Sequence, residues 1–349
     1  MVDFTECERN PYRVYGGGNG NKISITYQGD NYMLKFPPKK SDKKILYTNG
    51  CISEYIACHI YNIVGIDVQK TIYGQFMIGD KQKGVVACKD FNEDGYTLEE
   101  FAKVKNGCID SLEDDSNGYG TELDSILEAI ETQSLVSAKK LNEHFWNMFI
   151  MDAYLGNFDR HNGNWGILVN NEEQTAKIAP VYDCGSCLYP QITEKDMAKV
   201  LDSQDEIDNR IFVFPTSAVK QNNKKINYFD FISSNVNQDC TEALYRIYPA
   251  INSKEVHKFI MECDFLSEIQ KEFYTTMLEQ RLTKILQHSF NKLLAFEKEY
   301  VVNSHLKNKY EKMGQELFGW DDNFVGVRLK EIKKNNHVTL LKKFNQNSR

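Results

Sequence analysis

The sequence predicts a mixed α+β protein with a small β-rich N-terminal lobe and a large helical C-terminal lobe. Strand-like runs dominate the first 90 residues, whereas amphipathic helical patterns dominate residues 122–299. A polar loop rich in Asn and Gly, residues 156–164, follows the most apolar helical stretch. We therefore assign residues 1–90 to the N-terminal lobe, 91–300 to the helical lobe and 301–349 to a basic C-terminal extension.

Composition excludes several classes of protein. A hydrophobic content of 41% in 349 residues is enough to fill a core, so global disorder is excluded. The net charge of −7 argues against a general nucleic-acid binder, which needs a basic face. The nine cysteines show no small-domain disulfide spacing, and we expect them to be reduced. Neither a signal peptide nor a membrane span is evident, so we expect a soluble cytoplasmic protein.

A glycine cluster opens the N-terminal lobe. Gly16, Gly17, Gly18, Asn19 and Gly20 precede Lys22 and a predicted hairpin with strands Ile23–Tyr27 and Tyr32–Phe36. Backbone N–H groups of glycine can approach phosphate oxygens because no Cβ blocks them. The spacing is neither that of a Walker motif nor that of a Rossmann fingerprint, so a flexible surface loop is the alternative interpretation.

The second strand of this hairpin carries a lysine, and the next helix carries a glutamate. Lys35 is centred in an apolar strand, where a buried lysine must pair with an acid and an edge lysine would be solvated. Glu54 lies near the start of a predicted amphipathic helix, Cys51–Val64, where it would favour the helix dipole. The functional alternative is an ion pair between Glu54 and Lys35 that holds the lysine on nucleotide phosphates.

Two further strands, Lys70–Phe76 and Gly84–Cys88, complete the predicted N-terminal lobe. The chain then turns polar, and we expect a helix to begin over Tyr96–Lys103. We place the hinge between the lobes at residues 87–91, where Ala87, Cys88, Lys89 and Phe91 would offer backbone groups to an adenine edge.

The helical lobe begins after an acidic, solvated loop at residues 106–120. Helices are predicted over Glu122–Gln133 and Ser137–Leu155, and the second is apolar enough to be the buried centre of the lobe. Residues 184–222 look irregular, as expected of an activation or substrate-positioning segment. The remaining predicted helices are Tyr228–Ser233, Glu242–Tyr248, Ser253–Cys263 and Ser267–Glu299.

The chemistry is carried by two polar loops of the helical lobe. Asp159 and Asn164 are five residues apart in the first loop, and Asp183 follows a hydrophobic turn in the second. An acid, an amide and a second acid in this order supply a base and the oxygen ligands of Mg²⁺ in phosphoryl transfer. His161 either orients this loop or a terminal phosphate, or simply packs. Cys184 and Cys187 lack a second Cys or His pair, so a zinc site is not expected.

The order of these features favours a kinase: glycines, strand lysine, helix acid, hinge, Asp/Asn loop and metal-binding Asp. In this interpretation Asp159 orients the attacking hydroxyl, and Asn164 and Asp183 hold Mg²⁺ against the phosphates of ATP. Lys35, fixed by Glu54, would neutralise phosphate charge, and the glycine cluster with Lys22 would cover the triphosphate.

The loop from Asn157 to Gly166, which reads NFDRHNGNWG, resembles the Asp-x-His-x-x-Asn loop of HipA-type kinases and phosphoinositide kinases. Longer motifs around the glycine cluster, Lys35, Glu54, the hinge and Asp183 resemble compact members of the HipA-like family, over about residues 3–290. The resemblance implies a bilobal protein-kinase-like fold and a Ser/Thr kinase that uses ATP and Mg²⁺ and autophosphorylates. It implies the same roles for Lys35, Glu54, Asp159, Asn164 and Asp183 as the residues themselves do.

Two departures from HipA proper stand out. We expect no counterpart of the extra N-terminal subdomain of HipA, because the glycine cluster begins almost at once. HipA regulates itself through a serine in its phosphate loop, whereas residues 16–22 carry no hydroxyl and the nearest candidates are Ser24 and Thr26.

Several functional alternatives stay open at this stage. The shared loop also fits a phosphoinositide or small-molecule kinase, a toxin-type kinase that acts on a translation component, or a binding module on a degenerate kinase scaffold. The expected partners are ATP and an unidentified protein substrate, with no membrane and no nucleic acid. The tail, 301–349, is either a solvated terminus or an arm that docks an acidic partner. The resemblance places the protein in the bacterial cytoplasm, or has it exported as an effector without a standard signal peptide.

Overall fold

The computed structural model describes residues 1–15, 22–38, 47–108, 117–302, 314–316, 318–321 and 324–325, and the side chains only as far as residue 295 within the last long helix. The glycine cluster Gly16, Gly17, Gly18, Asn19 and Gly20 therefore lies outside the described residues, as does most of the tail.

A six-stranded sheet forms the N-terminal part of the chain. Its strands are β1 (Val2–Asp3), β2 (Glu8–Arg9), β3 (Lys22–Tyr27), β4 (Asp30–Lys35), β5 (Thr71–Ile78) and β6 (Lys81–Lys89). They lie in the order β1-β5-β6-β4-β3-β2, and only the β1–β5 pair is parallel. The predicted hairpin is confirmed: Gln28 and Gly29 both have positive φ, as a tight turn between twisted strands requires.

Helix α1 (Gly50–Val64) connects this sheet to the helical lobe. Its buried side chains, which include Ile56, Ile60 and Tyr61, join the main hydrophobic core of the molecule. The helix ends at Gly65, whose φ of 85° is the left-handed conformation of a common C-terminal cap. One element of the N-terminal half is thus packed into the C-terminal half.

A three-stranded antiparallel sheet follows the linker, with β7 (Thr97–Glu100), β8 (Gly166–Asn170) and β9 (Thr175–Ile178). The predicted helix over Tyr96–Lys103 is therefore wrong in its first half, since helix α2 begins at Phe101. The physical reason is tertiary pairing. Residues Thr97–Glu100 pair in antiparallel register with Gly166–Val169 of β8, a strand that lies far along the sequence.

Helices make up most of the rest of the chain. They are α2 (Phe101–Cys108), α3 (Leu123–Thr132), α4 (Ala138–Leu155), α5 (Glu194–Leu201), α6 (Gln204–Asp208), α7 (Tyr228–Ser234), α8 (Gln238–Ile247), α9 (Ser253–Glu262), α10 (Glu268–Arg281) and α11 (His288–Val302). Helix α4 is the buried centre, as predicted: an unbroken run from Met148 to Leu155 is buried. Ser137 caps its first turn by accepting from the Lys140 N–H, and Gly156 ends it with a φ of 66°.

The segment expected to be irregular, 184–222, is more ordered than its sequence indicates. It contains α5, α6, a wide helical turn at Asn209–Val213, and the first strand of a short hairpin, β10 (Lys220–Gln221) with β11 (Lys224–Lys225). Thr193 and Ser203 cap the two short helices, and each accepts a hydrogen bond from a backbone N–H of its helix.

Part of the tail packs on the helical lobe, so a wholly solvated terminus is excluded. Phe318, Trp320, Phe324 and Val325 form a buried cluster with Leu293 of α11. The indole Nε1 of Trp320 donates to the carbonyl of Asn235 at 2.8 Å. Throughout the described ranges, no helix combines the length and the apolar character that crossing a bilayer requires.

Candidate active site

Lys35, Glu54 and Asp183 converge between the two halves of the molecule. Lys35 Nζ lies 2.8 Å from Glu54 Oε2 and 2.9 Å from Asp183 Oδ1. Strand β4, helix α1 and the loop after β9 each contribute one of these side chains. Burial by itself would lower the pKa of Lys35, but the carboxylates of Asp183 and Glu54 raise it well above its ordinary value. The lysine is therefore charged at neutral pH.

Glu54 has a second partner that fixes the loop of Asp183. Its Oε1 accepts from the backbone N–H of Cys184 at 3.0 Å, and the residue is only 1% exposed. Glu54 is the fifth residue of α1 rather than part of its first turn, so the helix-dipole explanation for this acid does not apply. The geometry instead matches the expected ion pair with Lys35.

Asp183 occupies a strained backbone conformation beside the cleft. Its φ is +54°, in the left-handed region that is costly for a residue with a side chain. Desolvation would raise the pKa of this carboxyl, but the charges of Lys35 and Lys22 lower it to about 2. Asp183 is thus a permanent anion with 41% of its side chain exposed, which suits a metal ligand.

The loop between α4 and β8 is a series of tight local hydrogen bonds. The Asp159 N–H donates to Asn157 Oδ1 at 3.1 Å, and the His161 N–H donates to the Asp159 carbonyl at 2.8 Å. Asn164 Nδ2 donates to the same Asp159 carbonyl at 2.8 Å. This bond orients the amide so that its Oδ1 is left as an available oxygen ligand.

A buried ion pair that the sequence did not reveal anchors this loop. Arg160 Nε and Nη2 donate to the two carboxylate oxygens of Asp152 at 3.0 and 3.2 Å, and both residues are almost fully buried. Tyr61 and Asn157 also donate to Asp152, at 3.0 and 2.9 Å. Asp152 lies in the last turn of an apolar helix and Arg160 lies inside a polar loop, so no sequence periodicity indicates that the two meet.

Arg160 also brings the two candidate metal ligands together. Its Nη1 donates to the carbonyl of Asn164 at 2.8 Å and to the carbonyl of Tyr182, the residue before Asp183. A single guanidinium therefore ties the Asp159–Asn164 loop to the Asp183 loop. Charge-assisted hydrogen bonds of this kind are stronger than neutral ones, so the two loops are held in a fixed arrangement.

Asp159 lies close enough to Asp183 for their charges to interact. Burial raises the pKa of Asp159, the nearby Asp183 carboxylate adds to that rise, and His161 is the largest of the influences that oppose it. A carboxylate with a raised pKa is a better proton acceptor, which matches the expected base.

His161 lies beside this acid with one ring nitrogen in use. Its Nδ1 accepts from the Gly163 N–H at 3.0 Å, and this bond shapes the turn at residues 161–163.

Lys22 is also near the site. The charges of Lys35, Asp183 and Glu54 all influence its pKa, although burial is the largest influence and lowers that pKa. Lys22 pairs across the β3–β4 hairpin with Lys35, which places the two lysines side by side on adjacent strands.

Residues 87–89 of the predicted hinge were expected to have free backbone groups, but these groups have hydrogen-bond partners or lie within a paired strand. Ala87 and Cys88 lie inside β6, paired on both sides by β4 and β5. The Lys89 N–H donates to Lys70, and the Lys89 carbonyl accepts from Gln69 Nε2 at 2.8 Å. The backbone N–H and C=O groups of Lys89 therefore each have a hydrogen-bond partner within the protein, because strand pairing continues one residue further than predicted. Phe91 instead packs its ring 5.5 Å from that of Tyr182.

The cysteines beside the site are free thiols. Cys184 and Cys187 are buried, and each of the nine cysteines of the chain is unbridged. Cys184 accepts a hydrogen bond from Arg160 Nη2 at 3.4 Å. It therefore helps to seat the guanidinium.

Comparison with known proteins agrees with this geometry. The HipA-like C-terminal domain family matches residues 15–247. The serine/threonine-protein kinase CtkA of Helicobacter pylori is 49% identical over 287 residues, which are 82% of this chain and 86% of that protein. A crystal structure of the proinflammatory kinase CtkA of Helicobacter pylori has a TM-score of 0.79 at 47% identity, and covers 84% of this chain and 98% of that one.

A HipA structure from Shewanella oneidensis MR-1 is more distant, with a TM-score of 0.46 and 16% identity over 80% of this chain and 67% of that chain. The family resemblance and the mixed α+β fold predicted from the sequence are confirmed by the CtkA matches. The chain belongs to the HipA-like family and is a serine/threonine protein kinase of the CtkA type.

Proposed function

We propose that this kinase transfers the γ-phosphate of ATP to Ser and Thr hydroxyls of a protein substrate, at the site formed by Lys35, Glu54, Asp159, Asn164 and Asp183. The observation that carries the proposal is the pair of contacts of Lys35 Nζ, at 2.8 and 2.9 Å, with acids from two different elements. Phosphoryl transfer depends mainly on positioning and on stabilisation of charge, and a clamped lysine beside two acids supplies both.

Asp159 is the proposed base. It orients the attacking hydroxyl and accepts its proton, and its hydrogen-bonded loop holds it next to Asn164. Lys35 is the proposed phosphate contact. One carboxylate oxygen of Glu54 bonds to this lysine and the other bonds to the Asp183 loop, so Glu54 fixes the position of the lysine relative to that loop. His161 orients the loop through its bond with Gly163.

The residues present fit a magnesium ion. Asn164 and Asp183 offer an amide oxygen and a permanent carboxylate, the hard ligands that Mg²⁺ prefers, and Mg²⁺ commonly uses few protein ligands besides phosphates and water. When bound, the ion would neutralise phosphate charge. The clamp of Arg160 on the carbonyls of Asn164 and Tyr182 keeps the two ligands together.

The remaining contacts with nucleotide are proposed from the sequence. Gly16, Gly17, Gly18, Asn19 and Gly20 would cover the triphosphate, with Lys22 at the start of β3 beside them. Cys88 and Phe91, near the end of β6, would border the base.

Autophosphorylation, if it follows HipA-like kinases, needs a site other than the start of β3. Ser24 is only 3% exposed within the sheet, and Thr26 bonds to Asn31. A hydroxyl held in a paired strand cannot reach its own active site without opening the sheet. We therefore propose that self-phosphorylation occurs on an exposed segment.

Replacement of the proposed base tests this function. Asp159→Asn keeps the shape of the side chain but cannot accept the proton, so phosphate transfer from labelled ATP should fall by about 10²–10⁴-fold. Asp202→Asn, at the exposed end of α5, is the matched control and should keep full activity. Calorimetry should show that both variants still bind ATP with Mg²⁺. Full activity of Asp159→Asn would contradict the assignment.

A further inference from the structure

Residues 212–228 wrap around the loop that carries Asp159. The ring of Phe214 lies 5.5 Å from that of Phe158, the residue before Asp159. At the other end of the segment, the hydroxyl of Tyr228 donates to the carbonyl of Asn157 at 2.8 Å. The segment is thus fixed to the catalytic loop at two points, both directly before Asp159.

The β10–β11 hairpin forms the middle of this segment, and it too is tied to the catalytic loop. Its tip, Asn222 and Asn223, has positive φ at both residues, as a two-residue turn requires. The Lys220 N–H donates to the carbonyl of Thr121 at 2.8 Å. Asn162 of the catalytic loop donates to the neighbouring Gly120 carbonyl at 2.7 Å. Two hydrogen-bonded steps therefore connect the hairpin with the loop.

The hairpin is basic, and its lysines are not engaged in ion pairs among the described residues. Lys224 and Lys225 are exposed, and Lys220 is partly exposed. Among the residues that the structure describes, none of the three forms an ion pair.

Two exposed apolar side chains lie on the same segment as this basic hairpin. Val213 and Phe214 are 62% and 42% exposed, which is unusual for side chains of their size. A protein segment offers side chains for both surfaces, whereas a phosphodiester backbone offers none for the apolar one. A long polyanion would also meet the net charge of −7 of this chain beyond the hairpin, whereas a short acidic peptide needs only the local lysines.

We propose that the β10–β11 hairpin binds acidic residues that flank the Ser or Thr to be phosphorylated, with Lys224 and Lys225 as specificity-determining residues. This inference rests on the proposed function, and it adds the chemical class of the substrate. Carboxylates beside the acceptor would pair with the lysines as the hydroxyl approaches Asp159. Because such pairs are exposed, the preference should weaken as the salt concentration rises.

The test compares three synthetic peptides that differ only beside one serine, where they carry Asp and Glu, Asn and Gln, or Lys. The wild type should prefer the acidic peptide over the neutral one by about tenfold in kcat/KM, as expected for two or three exposed ion pairs. The double variant Lys224→Glu/Lys225→Glu should lose this preference and favour the basic peptide, with the neutral peptide changed by less than about threefold. Lys254→Glu/Lys258→Glu on α9 makes the same charge change on exposed residues of another element and should behave as the wild type does.

The outcomes separate this inference from the proposed function. Equal phosphorylation of all three peptides by the wild type, or an unchanged acidic preference in the hairpin variant, overturns the inference and leaves the kinase site intact. Absence of any phosphate transfer from ATP overturns both. A third outcome is that the wild type shows no peptide preference but binds an RNA oligonucleotide, and that the hairpin variant binds this RNA more weakly. The hairpin would then be a nucleic-acid surface, and the inference would be wrong.

Discussion

At the scale of single residues, buried charges decide the shape of the site. Arg160 and Asp152 are 3% and 1% exposed, and neither would be stable there without the other. Their value is geometric, because the guanidinium also holds the Asn164 carbonyl at 2.8 Å. The loss of either partner would leave an uncompensated buried charge, at a typical cost of about 3–5 kcal/mol.

His144 on α4 makes stability depend on pH. Its Nε2 is buried without a hydrogen-bond partner among the described residues, and burial together with the charge of Arg160 lowers its pKa to about 4. The unfolded chain binds a proton near the ordinary value of 6.5, so the folded state loses stability as the pH falls from about 6.5 towards 4. Between pH 7.5 and 5 the wild type should lose about 2 kcal/mol more than His144→Gln does.

Urea unfolding of the two proteins at both pH values measures this difference. The variant is the control for every other group that titrates over the same range. Parallel losses of stability in the two proteins would show that His144 is not buried in its neutral form.

Residue types with strong chemistry could be assigned from the sequence, but their supports could not. Lys35, Glu54 and Asp183, which the sequence singled out, meet through two ion pairs of the lysine, and Asp159 and Asn164 are joined by a hydrogen bond in one loop. Arg160 was missed because its partner, Asp152, lies in a helix whose pattern is simply apolar. The hydrogen bonds of the Lys89 backbone were not predicted, because their partners, Gln69 and Lys70, lie about 20 residues earlier in the chain and no local pattern links them to Lys89.

At the scale of elements, local capping and periodicity explain most helices, while long-range pairing explains the exceptions. Helices α4 and α10 begin directly after Ser137 and Ser267, within one residue of the predicted starts, because each serine caps the first turn of its helix. Strand β7 was predicted as helix because its partner, β8, is distant in sequence. Sequence composition alone left the tail as either a solvated terminus or a docking arm, whereas the buried Trp320 anchors part of it to the helical lobe.

Replacement of Trp320 should destabilise the protein without affecting catalysis. Its indole is 1% exposed, lies 4.8 Å from the ring of Phe318 and 5.0 Å from that of Phe324, and donates to Asn235. Trp320→Ala should lower the free energy of unfolding by about 3–5 kcal/mol, as for other buried aromatic truncations. Kinase activity at low temperature should stay within about twofold, because the cluster packs on α11.

Thermal or urea unfolding of the wild type, Trp320→Phe and Trp320→Ala gives the comparison. Trp320→Phe keeps most of the apolar volume but loses the N–H donor, so it should fall between the other two. An unchanged midpoint for Trp320→Ala would mean that the tail segment adds no stability to the helical lobe.

At the scale of the whole molecule, the site depends on contacts that cross between the two halves of the chain. Helix α1 places Ile56, Ile60 and Tyr61 in the main core and at the same time presents Glu54 to β4 and to the loop after β9. The hydroxyl of Tyr61 reaches Asp152 at 3.0 Å, so the same helix also supports the anchor of the catalytic loop. The positions of the proposed phosphate contact and of the proposed metal ligands are therefore coupled through one helix.

The most direct test of this account is a crystal structure of the protein with a non-hydrolysable ATP analogue and Mn²⁺, whose anomalous scattering locates the metal. The account predicts that the triphosphate lies against Lys35, that the metal is bound by Asn164 Oδ1 and the Asp183 carboxylate, and that Asp159 faces the γ-phosphate. A nucleotide bound elsewhere, or a metal held by residues other than these two, would contradict the central claim.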